Sequence, residues 1–264
     1  MACRSLLRRA AVGASFALGL VCVLPAQALE LRVLSAGAVE PGMRPALAAF
    51  ERASGHMTRL AFAAAPALRS AVAGAPSADV VVLTDAIIDE LAAKGTAIGA
   101  RAPIGRVGVG VAVRPGAESP DISSSDGLKA ALVAADSVVF NRASTGLYVE
   151  RMLQQLGLAD VVNAKATREP DGASVMKRLL AGTARRELGF GATTEILLFR
   201  DQGVKLVGPL PAALQNYTTY VAVPWPGAAA VDPTRADAVT ALIRHLQSAP
   251  MRTLFAESGI EPAP

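Results

Sequence analysis

The sequence predicts an α/β fold in which a mostly parallel sheet is covered on both faces by helices. Short apolar runs rich in Val and Leu alternate with stretches whose apolar residues recur at helical spacing. Most of these runs are apolar on both faces, which is typical of parallel strands buried between two helix layers. The 264 residues are enough for one large domain or for two lobes.

The strands and helices follow one another in a regular order. Strands are predicted over residues 31–35, 58–62, 79–83, 106–113, 137–140, 187–191, 204–207 and 220–223. Helices are predicted over residues 42–54, 67–74, 85–94, 126–135, 146–157, 173–182 and 234–247. The segment 114–127, rich in Pro, Gly and Ser, is predicted to be a surface loop.

Residues 1–28 have the features of an export signal. Arg4, Arg8 and Arg9 precede an uncharged apolar run that ends in the small-x-small sequence "AQA". We therefore expect a cleaved signal peptide, a mature chain from Leu29 and a periplasmic location. A membrane anchor is the alternative, but the run is near the lower length limit for a spanning helix and ends in Pro25.

Removal of this leader changes which kinds of chemistry remain possible. Both cysteines, Cys3 and Cys22, lie within it, so the mature chain has no thiol for a disulfide, a metal site or a nucleophile. The formal net charge falls from +4 to +1, and only 4% of residues are aromatic. This composition argues against a nucleic-acid-binding protein, which needs a basic face with aromatic platforms.

Three predicted strand-to-helix junctions consist mainly of small residues. They are "SAGAVEPG" (35–42), "FAAAPALR" (62–69) and "FNRASTG" (140–146). Parallel sheets bind ligands at the carboxyl ends of their strands, where helix amino termini present unpaired N–H groups and positive partial charge. Because small side chains leave these groups uncovered, the junctions predict an anion-binding pocket.

The third junction contains candidate polar contacts. Ser144 and Thr145 can cap the helix that follows, bind a ligand, or do both, and Gly146 would let a ligand approach the backbone. Arg142 in the same junction is either a ligand contact or a solvated surface arginine.

Motifs for catalysis are weak. His56 and His245 are isolated from metal-spaced partners, and Asp85 and Asp89 are expected on a solvated helix face. The sequence contains no Gly-x-Ser-x-Gly nucleophile turn, no phosphate-loop lysine motif and no dinucleotide-binding glycine pattern. Trp225 is expected to pack in the core, with an aromatic ligand wall as the alternative. We therefore expect a protein that is not an enzyme, with no metal and no cofactor.

Six segments resemble, in order and spacing, the periplasmic solute-binding proteins of ABC transporters, specifically the molybdate-binding-protein-like group with the type II periplasmic binding fold. The resemblance covers nearly all of the mature chain. The segments are "LRVLSAGAVEPGMRPALAAFERASG", "AFAAAPALRSAVAGAPSADVVVLT", "VGVGVAVRPGAESPDIS", "NRASTGLYVERMLQQLGLAD", "LGFGATTEIL" and "GVKLVGPLPAALQNYTTYVAVPW".

This resemblance implies two α/β lobes joined by two crossover strands, with a small anion held in the cleft between them. The first lobe would comprise residues 29–110 plus 219–264, and the second lobe residues 111–218, with crossings near Val111 and Tyr220. A membrane permease would be the partner, and the protein would act as a monomer.

The resemblance also shows where this sequence departs from molybdate binders. Serines usual in that group are replaced by Ala38 and Ala65, and a usual tyrosine is absent where Gly191 or Ala192 stands. Each ligand group without its hydroxyl would lose about 1–3 kcal/mol, so an organic carboxylate is favoured over molybdate. The predicted ligand-binding residues are Ala38, Val39, Ala65, Arg69, Thr84, Ser144, Thr145, Gly146 and Thr193.

The resulting prediction is a periplasmic, non-catalytic receptor that delivers a small anion to an ABC permease. The alternatives are an exported enzyme on the same fold and a ligand sensor. Binding without turnover would distinguish the receptor from the enzyme.

Overall fold

The computed structural model describes residues 28–63, 68, 78–96, 98–225 and 232–263. The predicted signal peptide, apart from its last residue, and the helix predicted over residues 67–74, apart from Leu68, lie outside the described residues. Within the described part of the chain, no helix combines the length and apolarity needed to span a bilayer.

The described strands are β1 (Glu30–Ala36), β2 (Met57–Ala63), β3 (Val80–Thr84), β4 (Ala102–Val113), β5 (Ser137–Asn141), β6 (Ala166–Glu169), β7 (Glu187–Ala192), β8 (Lys205–Pro209) and β9 (Tyr217–Pro224). The described helices are α1 (Glu40–Ser54), α2 (Asp85–Ala93), α3 (Ser125–Ala134), α4 (Ser144–Gln155), α5 (Ala159–Asn163), α6 (Gly172–Ala181), α7 (Thr193–Leu197), α8 (Pro233–Leu246) and α9 (Ala249–Glu257).

The strands form one curled mixed sheet with the order β2-β1-β3-β9-β4-β7-β5-β6, and β8 pairs with β4. β1 is parallel to β2 and β3, and β5 is parallel to β6 and β7. The described antiparallel pairs all include β4 or β9. The predicted α/β fold is confirmed, with parallel strands on either side of two antiparallel connecting strands.

β4 belongs to both halves of the sheet. Its residues from Ala102 to Gly108 pair with β9, whereas Val109 to Ala112 pair with β7. The chain therefore passes from a first sheet section (β2, β1, β3, β9) to a second (β8, β7, β5, β6) along one continuous strand. β9 is the return strand and begins at Tyr217. The lobe boundaries that we predict from the resemblance stay a prediction.

Each section has a hydrophobic core of its own. In the first, Val33 of β1 packs with Met43 and Phe50 of α1 and with residues of α8 and α9. In the second, Phe140 of β5 and Phe190 of β7 lie in a cluster with residues of α3 and α4, and a further cluster lies under α6. Trp225 is 5% exposed within the first core, as predicted for a packing residue.

Some elements differ from the sequence prediction. The edge strand β6, "ATRE", has no apolar run and is only partly buried, so its pairing with β5 gave no sequence signal. Helices α5 and α7 have five residues each, too few for a helical period to be visible. Helix α9 was missed although Ser248 and Pro250 mark its start; it buries Met251 and Phe255.

Candidate functional site

Two adjoining cavities lie between the sheet sections, next to the ends of β1, β2, β5 and β7. The large cavity has a volume of about 380 Å³ and is lined by Gly37, Glu40, Phe62, Ala63, Asp171, Ala173, Lys177, Glu195, Leu198 and Phe199. The small cavity, of about 20 Å³, is lined by Ala36, Gly37, Ala38, Ala63, Asn141, Ala143, Ser144, Thr145, Gly172, Glu195 and Tyr220. Gly37, Ala63 and Glu195 line both, so the two cavities form one cleft.

The turn between β5 and α4 presents Ser144 and Thr145 to the small cavity. The Oδ1 atom of Asn141 accepts hydrogen bonds from the N–H groups of Ala143 and Gly146, at 3.0 and 2.9 Å. Asn141 therefore caps the helix, and the capping role considered for Ser144 and Thr145 is wrong. Both residues line the small cavity, where the Ser144 hydroxyl is hydrogen-bonded to the Tyr220 hydroxyl, and the first-turn N–H groups of α4 have no partners within the helix.

Gly146 is required by this turn for a reason other than ligand approach. A Cβ atom at this position would lie 1.5 Å from the carbonyl oxygen of Asn141. Gly146 is buried and lines neither cavity. The glycine thus lets the chain fold back over Asn141, which holds Ser144 and Thr145 in place.

The turn after β1 supplies the opposite side of the small cavity. Ala38 lines it and is 7% exposed, whereas Val39 is fully buried in the first core and lines neither cavity. The hydroxyl of Thr194, on α7, donates a hydrogen bond to the carbonyl oxygen of Ala38. Thr194 is fully buried, and because Ala38 lines the small cavity, this bond joins the two sheet sections next to the cleft.

Glu195 lies at the centre of the cleft. A Cβ atom at Gly172 would be 2.0 Å from its Oε2 atom, and one at Gly37 would be 3.4 Å from its Oε1 atom. Its carboxyl group therefore lies against the backbone of both sections. The side chain is enclosed by protein apart from the surface that faces the cavities.

The surroundings of Glu195 favour its neutral form. Burial, together with the nearby charges of Asp171 and Glu40 and against a lowering by the N–H group of Ala192, raises the pKa of its carboxyl group from 4.5 to about 7. Among the described residues, no cationic group forms an ion pair with Glu195. This carboxyl group can therefore exchange a proton near neutral pH.

Tyr220 places a phenol group beside this carboxyl group. The residue is 3% exposed and lines the small cavity. Burial and the charge of Glu195 raise the pKa of the Tyr220 hydroxyl, and hydrogen bonds with Ser144 and Thr218 lower it by less. The phenol therefore remains protonated and can donate a hydrogen bond.

The other charged residues of the large cavity have hydrogen-bond partners or are exposed to solvent. Glu40 accepts a hydrogen bond from Arg44 at 2.6 Å, and the Arg44 guanidinium lies 4.9 Å from the centre of the Phe62 ring. Asp171 accepts a hydrogen bond from the N–H group of Ser174 and caps α6. Lys177, on the same helix, is exposed and supplies positive charge to the cavity.

The remaining predicted residues are placed elsewhere or lie outside the described residues. Thr84 caps α2 by accepting a hydrogen bond from Ile87, and it lines neither cavity. Thr193 is partly buried beside Gly110. Arg142 is exposed, and its side chain donates to the carbonyl oxygen of Arg168. Ala65 and Arg69 lie outside the described residues.

Sequence reasoning found Ala38, Ser144 and Thr145 but missed Glu195 and Tyr220. Both had a weak signal, because Glu195 follows the end of a buried strand by three residues and Tyr220 lies at the predicted return crossing. Among the described residues, no group of three His, Cys, Asp or Glu side chains is arranged to hold a metal ion.

A curled sheet in two sections, joined by β4 and β9 around a cleft with polar side chains, defines a protein of the periplasmic binding class. The chain matches the family described as bacterial extracellular solute-binding protein over residues 31–261. It belongs to this family.

The chain is similar in sequence to an enzyme and in fold to binding proteins. The chain is 31% identical to an aconitate isomerase of Pseudomonas sp. over 246 residues, which are 89% of this chain and 88% of the relative. Its fold is similar to that of the periplasmic molybdate-binding protein of Azotobacter vinelandii, with a TM-score of 0.70, 18% identity and coverage of 89% and 100% of the two chains. The sulfate-binding protein of Mycobacterium tuberculosis gives a TM-score of 0.66 and 16% identity, with coverage of 89% and 87%.

Proposed function

We propose that this protein is exported to the periplasm and binds a small organic acid with two or more carboxylate groups in the cleft. The observation that carries this proposal is the position of Glu195, a carboxyl group without a cationic partner among the described residues, between the two cavities. The predicted preference for an organic carboxylate over molybdate, made from Ala38 and Ala65, agrees with it.

The distribution of charge favours an extended anion. A compact oxyanion would concentrate its charge beside Glu195, and like charges at such distances repel each other. A polycarboxylate can instead separate its charges along a carbon skeleton. One carboxylate then meets Ser144, Thr145 and the amino terminus of α4, another meets Lys177, and the skeleton lies against Glu195.

The size and lining of the cleft agree with this ligand class. The large cavity of about 380 Å³ is at the lower end of the range for small-molecule sites, about 300–1,000 Å³. Phe62 and Phe199 offer apolar surface for a carbon skeleton. The aconitate isomerase relative also acts, by its name, on an organic acid with several carboxylate groups.

We propose that the bound acid is delivered to an ABC permease, and membership of the extracellular solute-binding family agrees with this role. In this proposal the cleft closes around the acid, and the closed form is recognised by the permease. The prediction of a receptor that is not an enzyme remains a prediction, and the isomerase relative is the specific observation that favours an enzyme instead.

Isothermal titration calorimetry on the exported protein tests the ligand class. The probes are trans-aconitate, cis-aconitate, succinate, molybdate and sulfate. We expect saturable binding of at least one polycarboxylate and no binding of either oxyanion.

Ser144→Ala is expected to weaken binding of the polycarboxylate about tenfold, because one hydrogen bond to a charged group is lost. The control Ser123→Ala removes an exposed hydroxyl outside the cleft and should leave the affinity unchanged. Binding of molybdate without any polycarboxylate would contradict the proposal.

A further inference from the structure

We propose that Glu195 is a proton-transfer residue and that the protein isomerises an unsaturated polycarboxylate by moving a proton between two carbon atoms. This inference rests on the proposed function, because it needs an organic polycarboxylate in the cleft. It goes further in assigning an activity and the residue that performs it.

The position of Glu195 suits this role better than a structural one. Its carboxyl group lies where the two cavities join, so any ligand that spans them passes next to it. Gly37 and Gly172 bring only backbone against it, which leaves the carboxyl group accessible from the cavities. Two other carboxylates are paired with cations, Glu150 with Arg168 at 2.6 Å and Asp79 with Arg235 at 2.9 Å. Glu187 is also buried, but it accepts a hydrogen bond from Ser137 and lines neither cavity of the cleft.

The chemical step needs no group other than those in the cleft. The substrate has a carbon–carbon double bond and, next to it, a CH₂ group that is also bonded to a carboxylate. The Glu195 carboxylate removes one proton from this CH₂ group; the C–H bond breaks, an O–H bond forms, and the electron pair spreads over the three-carbon fragment. Glu195 then returns the proton to the far carbon, the double bond shifts, and the carboxylate is restored. Nothing is oxidised or reduced, and there is no co-reactant.

Neighbouring groups stabilise the negative charge that develops in this step. The phenol of Tyr220 and the hydroxyl of Ser144 line the small cavity beside Glu195. They and the amino terminus of α4 can hold a carboxylate that is conjugated with the three-carbon fragment, so charge that moves onto its oxygens meets hydrogen-bond donors. Lys177 holds a second carboxylate and so fixes the position of the CH₂ group.

The protonation behaviour of Glu195 agrees with this role. A group that takes and returns a proton works best when its pKa is near the working pH. The pKa of Glu195 is raised to about 7 by burial and by the charges of Asp171 and Glu40. Near neutral pH, both the accepting and the donating form of the carboxyl group are therefore populated.

Proton nuclear magnetic resonance in D₂O tests the inference. The exported protein is incubated with cis-aconitate, and the formation of trans-aconitate and the entry of deuterium from solvent are followed, with a sample lacking protein as the blank. Glu195→Gln keeps the shape of the side chain but cannot accept the proton. We expect conversion to fall at least about 100-fold, while the dissociation constant of trans-aconitate, measured by calorimetry, changes less than about threefold.

Two further variants make the result specific. Glu257→Gln makes the same change at an exposed glutamate of α9 that lines neither cavity, and it should convert cis-aconitate at the unchanged rate. Glu195→Asp keeps a carboxyl group but withdraws it by one methylene, so conversion should fall while binding persists. For the unchanged protein, kcat should rise with pH as Glu195 loses its proton, with a midpoint above 7 because bound carboxylates raise the pKa further.

The possible outcomes separate this inference from the proposed function. Binding of aconitate without conversion or deuterium entry would overturn the inference and leave the binding proposal intact. Conversion by Glu195→Gln at the rate of Glu257→Gln would overturn the role of Glu195. Failure of every polycarboxylate to bind would overturn the proposed function, and the inference with it.

Discussion

The two walls of the cleft differ in what they can offer a ligand. The turn residues of the first wall, Gly37, Ala38 and Ala63, have no polar side-chain atom, and among the described residues the first section adds polar groups to the cleft only through Glu40 and Tyr220. The second wall, formed by the starts of α4, α6 and α7, supplies hydroxyls from Ser144 and Thr145 and the carboxyl group of Glu195. The first wall therefore mainly sets the shape of the cleft, and the second wall supplies most of its polar groups. Substitutions in the second wall should therefore have much larger effects than substitutions in the first.

The largest effect is expected from breaking the turn that supports the second wall. Gly146→Ala places a Cβ atom 1.5 Å from the Asn141 carbonyl oxygen, and this backbone group cannot move without disrupting the cap of α4. We expect the free energy of unfolding to fall by about 3 kcal/mol or more. Urea unfolding measures it. The control Gly208→Ala, where the nearest atom is a side-chain methyl at 3.6 Å, should cost less than about 1 kcal/mol, and equal losses would contradict this account.

Ionisation of Glu195, in the second wall, should make the free energy of unfolding depend on pH. The folded-state pKa of Glu195 is raised from 4.5 to about 7, so the folded protein holds more protons than the unfolded chain between these values, and stability falls as pH rises through this range. The Glu195→Gln variant lacks this ionisable group, so it should not lose stability in this pH range. We expect the variant to gain about 2–3 kcal/mol over the unchanged protein at pH 8 and little at pH 4.

Unfolding by urea at the two pH values, with Glu257→Gln as the exposed control, gives this difference. A gain of the same size at both pH values would show that ionisation of Glu195 is not its cause.

A smaller effect should follow from moving Glu195 without removing it. Gly172→Ala would put a Cβ atom 2.0 Å from the Oε2 atom, and the flexible end of Glu195 can turn away into the cavity. We expect stability to change by less than about 1 kcal/mol, but affinity for a polycarboxylate to fall about tenfold, since the carboxyl group then occupies ligand space. Calorimetry and urea unfolding on one preparation separate the two effects; a loss of stability without a loss of affinity would contradict the placement of Glu195.

The smallest effect is expected in the first wall. Ala38→Ser makes the two walls more alike by adding one hydroxyl to the small cavity. Because Ala38 is only 7% exposed, we expect the affinity for a polycarboxylate to change by less than about 0.5 kcal/mol, roughly twofold. Calorimetry with molybdate should still detect no binding. Strong molybdate binding by this variant would mean that the first wall, and not the second, selects the ligand.

The parts of the fold that follow from local sequence were predictable. The buried strand β3 reads "VVVLT", and the helix α4 has a clear apolar face, so both were found within a few residues of their limits. The small residues of two junctions likewise predicted that Ala38, Ser144 and Thr145 would meet at one site. These features depend on short stretches of sequence whose physical preferences agree with the final structure.

The chemistry at the centre of the site was not predictable in the same way. Glu195 lies in a helix of five residues, and its environment depends on Gly37, Gly172 and Tyr220, which come from distant parts of the chain. The sequence places Glu195 three residues after the end of a buried strand, but it does not indicate that the side chain is enclosed. A raised pKa arises from tertiary packing, so it becomes visible only when the sheet sections are assembled.

The hydrogen bond from Thr194 to Ala38 has a consequence for how long a ligand stays bound in the cleft. The two sheet sections cannot separate unless this buried hydrogen bond breaks. Its loss exposes the Thr194 hydroxyl and the Ala38 carbonyl oxygen, which are paired in the structure. We therefore expect this hydrogen bond to set part of the residence time of a bound ligand, although Thr194 itself lines neither cavity. A weaker hydrogen bond at this position should raise both the association rate and the dissociation rate of the ligand. The relative affinities for different ligands should stay unchanged.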